Sequence, residues 1–485
     1  MGTAESAPVL VASNRGPISF SQGDDGRLSA RRGGGGMVSG LLTVAAHTDL
    51  LWVCAALSDA DRAAARAAPG GRLGLDGQPR EDGADLWMLD IPAAIFADAY
   101  NAVANSTLWF VHHMLYNLPS SPRFGTGFRD QWESFRAYNA AFADALAQAA
   151  GEQSQPRALV QDYHLTLVPR MLAERRPGIR VAHFSHTPWA PPEYFRVLPD
   201  DIAREVLTGI LGADHAGFLC QRWADSFAAC CEAVLGADVD TARQQVTYEG
   251  HVTRLGVHAL GVDADELRAR AAEPDVNDRV AELTKLAGGR KLIARIDRTE
   301  LSKNITGGLA AYRQLLTTHP EWRGRVVHLA FAYPSRTDLA EYRAYTAAVA
   351  ELAAQIGEEF GTSDWDPLVV QVEDDYARSL AAYRMADVLL VNPIRDGMNL
   401  VAKEGPIVSD RGCALVLSRE AGAAAELGDA ALLVNPYDVT GTAEALHEAL
   451  SMTDAERASR TARLAAAGAA VPPARWFATQ LAALG

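Results

Sequence analysis

At 485 residues the chain is too long for one hydrophobic core, and its 48% hydrophobic and 22% charged residues are those of an ordinary globular protein, which excludes a disordered class. The formal net charge of −15 argues against general nucleic-acid binding, although a local group of arginines can still hold an anionic substrate. Five scattered cysteines (Cys54, Cys220, Cys230, Cys231 and Cys413) form no CxxC pair, suggest neither a disulfide framework nor a zinc site, and fit a reducing cytoplasm.

The first residues lack the basic and apolar blocks of a leader peptide. Met1-Gly2-Thr3-Ala4-Glu5-Ser6 matches a myristoylation pattern, but the Ala, Arg and Gly bias points to a bacterial gene and away from that modification. The most apolar window, residues 41–57, is broken by His47 and Asp49 and cannot span a bilayer. Apolar runs that read as strands then alternate with helical patterns. In the first half they fall at 9–13, 51–56, 158–161, 180–185, 216–220 and 257–260. In the second half they fall at 291–296, 326–332, 368–372, 388–391, 414–417 and 431–434. Two sets of this kind predict two doubly wound domains with parallel sheets, and the break falls near Gly261-Val262-Asp263. The expected division is 1–261 and 262–471, with a last helix in 472–485 after a proline break that packs back on the first domain. Ligands of open α/β sheets bind at the carboxyl ends of the strands, so the expected site is a cleft between the two sheets.

Polar residues stand at those strand ends. Ser13-Asn14-Arg15 follows the first strand, and Arg15 is either a ligand group or a surface arginine. The run Arg31-Arg32-Gly33-Gly34-Gly35-Gly36 allows backbone to approach a phosphate closely, or is a flexible loop. Asp162-Tyr163-His164 and His186-Thr187-Pro188 close two further strands. In the second half, Arg295 and Lys303 follow one strand and Ser335-Arg336 the next, a recurrence of cations that a solvated face of an acidic chain does not predict. Such cations can clamp a diphosphate leaving group, and Arg295 is expected to face the ligand from its strand end.

The most informative stretch runs from Val391 to Glu404. The strand ends at Pro393, a loop carries Asp396 and Gly397, and a helical pattern opens near Leu400. Free N–H groups at a helix start form an anion site, Asp396 stands at its mouth, and Glu404 is expected about two turns along. A sugar nucleotide needs both features, N–H groups for its diphosphate and carboxylates for its hydroxyls.

These motifs resemble the trehalose-6-phosphate synthases, retaining glycosyltransferases of family 20 with two Rossmann-like domains in the GT-B arrangement. The resemblance runs from Val9 to about Phe477 and rests on SNR, the glycine loop, the segment from Tyr100 to Trp109, DYH, HTPW, RID…SK, PSR, RDGMNLVAKE, AGAAAEL and LLVNPYD. It implies that Arg15, Tyr100, Tyr163 and Arg336 hold the phosphate of glucose 6-phosphate, and that Trp109 and Asp162 position that acceptor. It also implies that Gly35 and Gly36 close over the donor diphosphate, that His186 contacts the donor glucose, and that Arg295 and Lys303 bind the diphosphate. Asp396, with the N–H groups of Gly397, Met398 and Asn399, would hold glucose hydroxyls. Leu400 and Val401 would offer N–H groups to phosphate, and Glu404 would bind the ribose. The implied catalytic set is Arg295, Lys303, Asp396 and His186, with front-side displacement and no carboxylate nucleophile. No cofactor or metal is implied.

The chain departs from the family pattern in two places. R-x-D-x-x-K is lengthened, with seven residues between Arg295 and Lys303, and the segment 376–380 differs. If both changes border the base, they favour GDP-glucose over UDP-glucose. The expected activity is α,α-trehalose-6-phosphate synthesis from a nucleoside diphosphate glucose. The alternatives are a pseudo-glycosyltransferase using another acceptor, such as a cyclitol phosphate, and a non-catalytic sugar-phosphate sensor. The expected partners are these small molecules in the cytoplasm, with no nucleic acid or membrane and a homo-oligomer left open.

Overall fold

The computed structural model describes residues 9–23, 25–32, 50–80, 85–336 and 339–485. The chain divides into two compact units, Met1–Leu260 with Pro473–Gly485, and Gly261–Pro472.

The first unit is built on seven parallel strands: β1 (Val9–Ser13), β2 (Leu50–Ala55), β3 (Leu86–Leu89), β4 (Arg157–Gln161), β5 (Arg180–Ser185), β6 (His215–Phe218) and β7 (His251–Val257). Their spatial order is β7-β6-β5-β4-β1-β2-β3, with short antiparallel strands at both edges. β1 and β2 are wholly buried, as continuous apolar runs covered on both faces must be. The strand expected at 257–260 lies earlier, at His251–Val257. Its residues alternate between exposed and buried, with Thr253 and Leu255 inward, so it lacks the apolar run that marks the central strands. The final helix, Pro473–Ala482, sets Trp476 edge-on to Phe184 at 5.1 Å and Gln480 against Gln161 at 3.3 Å.

The second unit has six parallel strands: β8 (Lys291–Arg298), β9 (Val326–Tyr333), β10 (Leu368–Gln371), β11 (Val388–Val391), β12 (Ala414–Ser418) and β13 (Leu432–Val434). Their order is β10-β9-β8-β11-β12-β13. Each sheet therefore reverses its strand order once, between β1 and β4 in the first unit and between β8 and β11 in the second. A doubly wound sheet opens a crevice at such a reversal, where the loops leave in opposite directions. Among the described residues, no helix is long and apolar enough to cross a membrane.

Candidate functional site

At the first reversal, β1 delivers Ser13, Asn14 and an exposed Arg15, while β4 delivers Asp162. Ser13 Oγ donates to the Arg15 carbonyl at 2.7 Å and accepts from Trp52 Nε1 at 2.7 Å, which fixes the turn after β1. Asp162 has φ 74° and ψ 170°, a region almost confined to glycine, at a cost of about 1–3 kcal/mol. Its surroundings hold it there. Its N–H donates to the Phe184 carbonyl at 2.7 Å, and its carbonyl accepts from Leu165 N–H at 3.1 Å and lies 3.3 Å from His183 Nε2. Its carboxylate accepts from the His186 N–H at 3.2 Å, so the ends of β4 and β5 are joined. His186 Nε2 is 3.0 Å from Gln161 Oε1, and the ring packs against Trp476. Burial, and then the nearby His183, depress the His186 pKa to about 3, so the ring is a neutral hydrogen-bonding group at physiological pH.

An aromatic cluster stands beside Asp162. Tyr100 and Trp109 come from a π-helical segment, Asp98–Leu108, and the short helix after it. Tyr100 stacks on His164 at 5.7 Å, Trp109 meets Tyr163 at 5.7 Å, and Tyr163 meets His164 at 4.0 Å. Tyr163 is only 3% exposed and its hydroxyl donates to Asn105 Oδ1 at 2.8 Å. Tyr100, Trp109, Asp162, Tyr163 and His186 are thus brought together, with Arg15 on the neighbouring strand end. Asn105 and His164 complete the cluster. A π-helix has no simple sequence signature, so Asn105 could not be foreseen from spacing along the chain. Gly35 and Gly36 lie outside the described residues.

At the second reversal the chemistry is ionic. Arg295 does not face outward as expected. It is wholly buried, donates to Asn392 Oδ1 at 2.6 Å and to the Lys303 carbonyl, and pairs with Asp297 at 3.0 Å. Its position, three residues before the end of β8, explains this: β8 runs on to Arg298, so Arg295 still belongs to the sheet interior. Lys303 Nζ lies 2.6 Å from Asp396 Oδ2, each side chain 15% exposed. Burial alone would lower the Lys303 pKa, but Asp396, Asp297 and Glu300 outweigh it and raise it, so the ammonium stays charged. Asp396 also accepts from Asn399 Nδ2 at 3.0 Å, and its backbone carbonyl accepts from Gly422 N–H at 3.0 Å.

The helix expected near Leu400 spans Val401–Val408. Asn399, at φ 87°, turns the chain into it and accepts the Ala402 N–H on its side-chain oxygen at 3.1 Å. The N–H groups of Lys403 and Glu404 return to the Leu400 carbonyl, which leaves those of Leu400 and Val401 at the open end. Gly397, Met398 and Asn399 are buried in the loop before it. Glu404 lies in the first turn of this helix, closer than the two turns expected. Tyr383 donates to its carboxylate at 3.1 Å, and burial raises its pKa although Tyr383 lowers it. Arg336 lies in the loop after β9 at φ 47° and donates to the Tyr342 hydroxyl at 2.6 Å.

Among the described residues, one group of metal-ligating side chains lies together, His319, Glu321 and His447. Its imidazoles stack 3.8 Å apart at 11°, so their in-plane lone pairs run side by side and do not converge on one ion. Trp322 Nε1 donates to His447 Nδ1 at 3.0 Å, which makes the group a hydrogen-bonded network.

The model of glycosyltransferase family 20 matches residues 7–484. The chain belongs to glycosyltransferase family 20. It is 33% identical, over 93% of its length, to a probable alpha,alpha-trehalose-phosphate synthase [UDP-forming] 2 of Arabidopsis thaliana, and spans 54% of that protein. Among solved structures it resembles an alpha,alpha-trehalose-phosphate synthase (UDP-forming) from Burkholderia vietnamiensis, with a TM-score of 0.83 and 29% identity over 98% of this chain and 99% of that one. It also resembles a UDP-forming synthase from Burkholderia xenovorans in complex with glucose-6-phosphate, with a TM-score of 0.83 and 26% identity over 98% and 99% of the two chains. The fold is the GT-B fold of those structures, two α/β domains with parallel sheets.

Proposed function

We propose that this family 20 protein is an α,α-trehalose-6-phosphate synthase that transfers glucose, with retention, to glucose 6-phosphate. The observation that carries the reading is the Lys303–Asp396 pair at the open end of the helix Val401–Val408. One carboxylate for sugar hydroxyls, one permanent cation and unengaged N–H groups meet there, as a nucleoside diphosphate sugar requires.

In this reading the second unit binds the donor. Lys303 and the N–H groups of Leu400 and Val401 neutralise charge growing on the leaving diphosphate. Arg295, from within, fixes the Lys303 backbone. Asp396 and the loop from Gly397 to Asn399 take glucose hydroxyls, and Glu404 takes the ribose. Trp109 and Asp162 are assigned to the acceptor sugar, and Arg15, Tyr100, Tyr163 and Arg336 to its phosphate. His186 is a neutral contact to donor glucose and a poor general base, because burial depresses its pKa to about 3, so protonating it is costly, and Gln161 engages Nε2. The acceptor proton then passes to the leaving phosphate itself, and the protein supplies positioning and leaving-group stabilisation.

The lean towards GDP-glucose has no support from the relatives, whose names are UDP-forming. The residues it rested on also have local roles. Leu301–Lys303 is a 3₁₀ turn that carries Lys303 to Asp396, and Asp375 caps the helix that begins at Tyr376. We therefore take UDP-glucose as the donor. The test offers UDP-glucose and GDP-glucose together with glucose 6-phosphate and identifies the products by NMR. Trehalose 6-phosphate and UDP are expected. A preference for GDP-glucose would overturn the donor alone, and no disaccharide phosphate from either would overturn the activity.

A further inference from the structure

The lengthened segment between Arg295 and Lys303 introduces a charge whose role the synthase reading leaves open. Glu300 is 0% exposed, yet it sits in a loop that also carries an exposed arginine. Its Oε1 accepts from Ser335 Oγ at 3.1 Å and lies 3.0 Å from an Arg298 guanidinium nitrogen. Its Oε2 is buried and has no hydrogen-bond partner among the described residues. Its backbone caps the turn that carries Lys303, accepting the Lys303 N–H at 3.0 Å.

A carboxylate so deeply buried should take up a proton, because desolvation disfavours its charge. Here burial does push the Glu300 pKa up, but Arg298, Arg336 and Lys303 outweigh it, and the net shift is downward. Glu300 is therefore an anion at physiological pH. It lies among cations of two segments, Arg298 at the end of β8, Lys303 in the turn after it and Arg336 after β9. Ser335, adjacent to Arg336, ties the second loop to the first through the same carboxylate oxygen.

Lys303 and Arg336 are the cations that the synthase reading assigns to the donor diphosphate and the acceptor phosphate. We infer that Glu300 is an internal counter-anion that tempers the affinity of this cation cluster for phosphate groups, a positioning residue that sets how tightly substrate and product phosphates are held. The inference rests on that assignment of Lys303 and Arg336. A fixed negative charge beside a phosphate site raises the free energy of the bound anion while leaving the cations ionised when the site is empty. It prevents a cluster of three cations from retaining the diphosphate after transfer. The hydrogen bonds to Ser335 and Arg298 also keep the two loops in register, and a glutamine can preserve them without the charge.

The test compares the full-length protein with Glu300→Gln, Glu300→Asp and Arg298→Gln, using inorganic pyrophosphate and glucose 6-phosphate as probes in titration calorimetry. Steady-state kinetics are run on the same samples. Glu300→Gln is expected to bind both anions about three- to tenfold more tightly, the scale of removing one like charge at this range in a partly screened site. Its kcat should fall as release of the nucleoside diphosphate slows, and its KM for glucose 6-phosphate should fall too. Glu300→Asp keeps the charge and should restore wild-type affinities. Arg298→Gln removes a neutralising partner of Glu300 from an exposed position and should weaken both anions. A merely structural role for Glu300 predicts weaker binding in every variant and no such change of sign. Unchanged or weaker anion binding by folded Glu300→Gln overturns the inference, and if that variant does not fold, unchanged or tighter binding by Arg298→Gln does so. Failure of the wild-type protein to form the disaccharide phosphate would instead strike the synthase reading, since pyrophosphate binding is read without turnover.

Discussion

The strand-order reversal of the first unit sets one carboxylate, Asp162, among aromatic and neutral imidazole groups, with Arg15 exposed beside them, whereas that of the second is lined by a network of opposite charges. Around Asp162 stand Tyr100, Trp109, Tyr163, His164 and His186, and the nearby buried imidazoles of His183 and His186 are kept neutral by desolvation. Around Lys303 stand Arg295, Asp297, Glu300 and Asp396, whose charges compensate one another in or near the core. The same topology thus supports two solutions to burying polar groups. An aromatic, hydrogen-bonding wall around a single carboxylate suits a sugar rich in hydroxyls. A network of opposite charges suits a ligand carrying a permanent charge, and it makes stability and binding depend on the same residues.

The largest effect should come from breaking that network. Arg295→Ala leaves Asp297 buried without its partner, which should cost about 3–5 kcal/mol of stability as well as activity. Lys303→Ala, at a more accessible position, should lower turnover roughly 10²–10³-fold with a smaller loss of stability. Urea unfolding and kcat measured on both variants separate the two roles. If Arg295→Ala were as stable as wild type, the second unit would not depend on buried charge and the contrast would fail.

A smaller effect is expected where the acceptor phosphate is bound. Loss of one charge-assisted contact costs about 1.5–3 kcal/mol, so Arg336→Ala should raise the KM for glucose 6-phosphate by roughly 10- to 100-fold and change kcat less. Free glucose should be a far poorer acceptor for the wild-type protein. Comparable kcat/KM values for glucose and its phosphate would remove the phosphate from the recognition scheme.

Most of this architecture was legible because buried parallel strands are continuous apolar runs. β1, β5 and β11 fall on the residues expected, and most of the others begin or end within a residue or two of the runs that mark them. Strands with an exposed face, β7 and the hairpin of Ile18–Gln22 with Leu28–Arg32, were missed or misplaced because alternation over a few residues is a weaker signal. β3 was missed as well; only alternate residues, Leu86 and Met88, are fully buried, so it lacks the continuous apolar run of the central strands. Among the site residues, position at a strand end was readable but orientation was not. Arg295 turns inward because Asp297 and Asn392 wait for it, and Tyr163 turns inward because Asn105 does. Asp297 stands two residues along the same strand, but Asn392 comes from another segment and Asn105 from a π-helix, and spacing along the chain does not report those two.

The mildest prediction uses acid to distinguish the two units. Burial lowers the pKa of His183 to about 4, of His186 to about 3 and of His215 to about 4 in the first unit, and of His328 to about 3 in the second. In the unfolded chain each would titrate near the ordinary value of about 6.5. Below that pH the unfolded state binds more protons than the folded one, so stability rises with pH, is fully present above about 6.5 and is lost as the pH falls towards the folded values. Each such histidine should cost about 1–2 kcal/mol between pH 7 and pH 5, and three of these four lie in the first unit. Glu300 acts in the same direction but later: its lowered pKa gives stability that persists until the pH falls through the carboxylate range. The first unit should therefore loosen first on mild acidification. Hydrogen-exchange protection factors for β4, β5 and β6 should drop between pH 7 and pH 5 more than those of β8 and β11. His183→Gln should reduce that drop, because glutamine has no proton to gain. Equal losses in both units, or an unaltered drop in His183→Gln, would show that the neutral imidazoles do not make the first unit the acid-sensitive one.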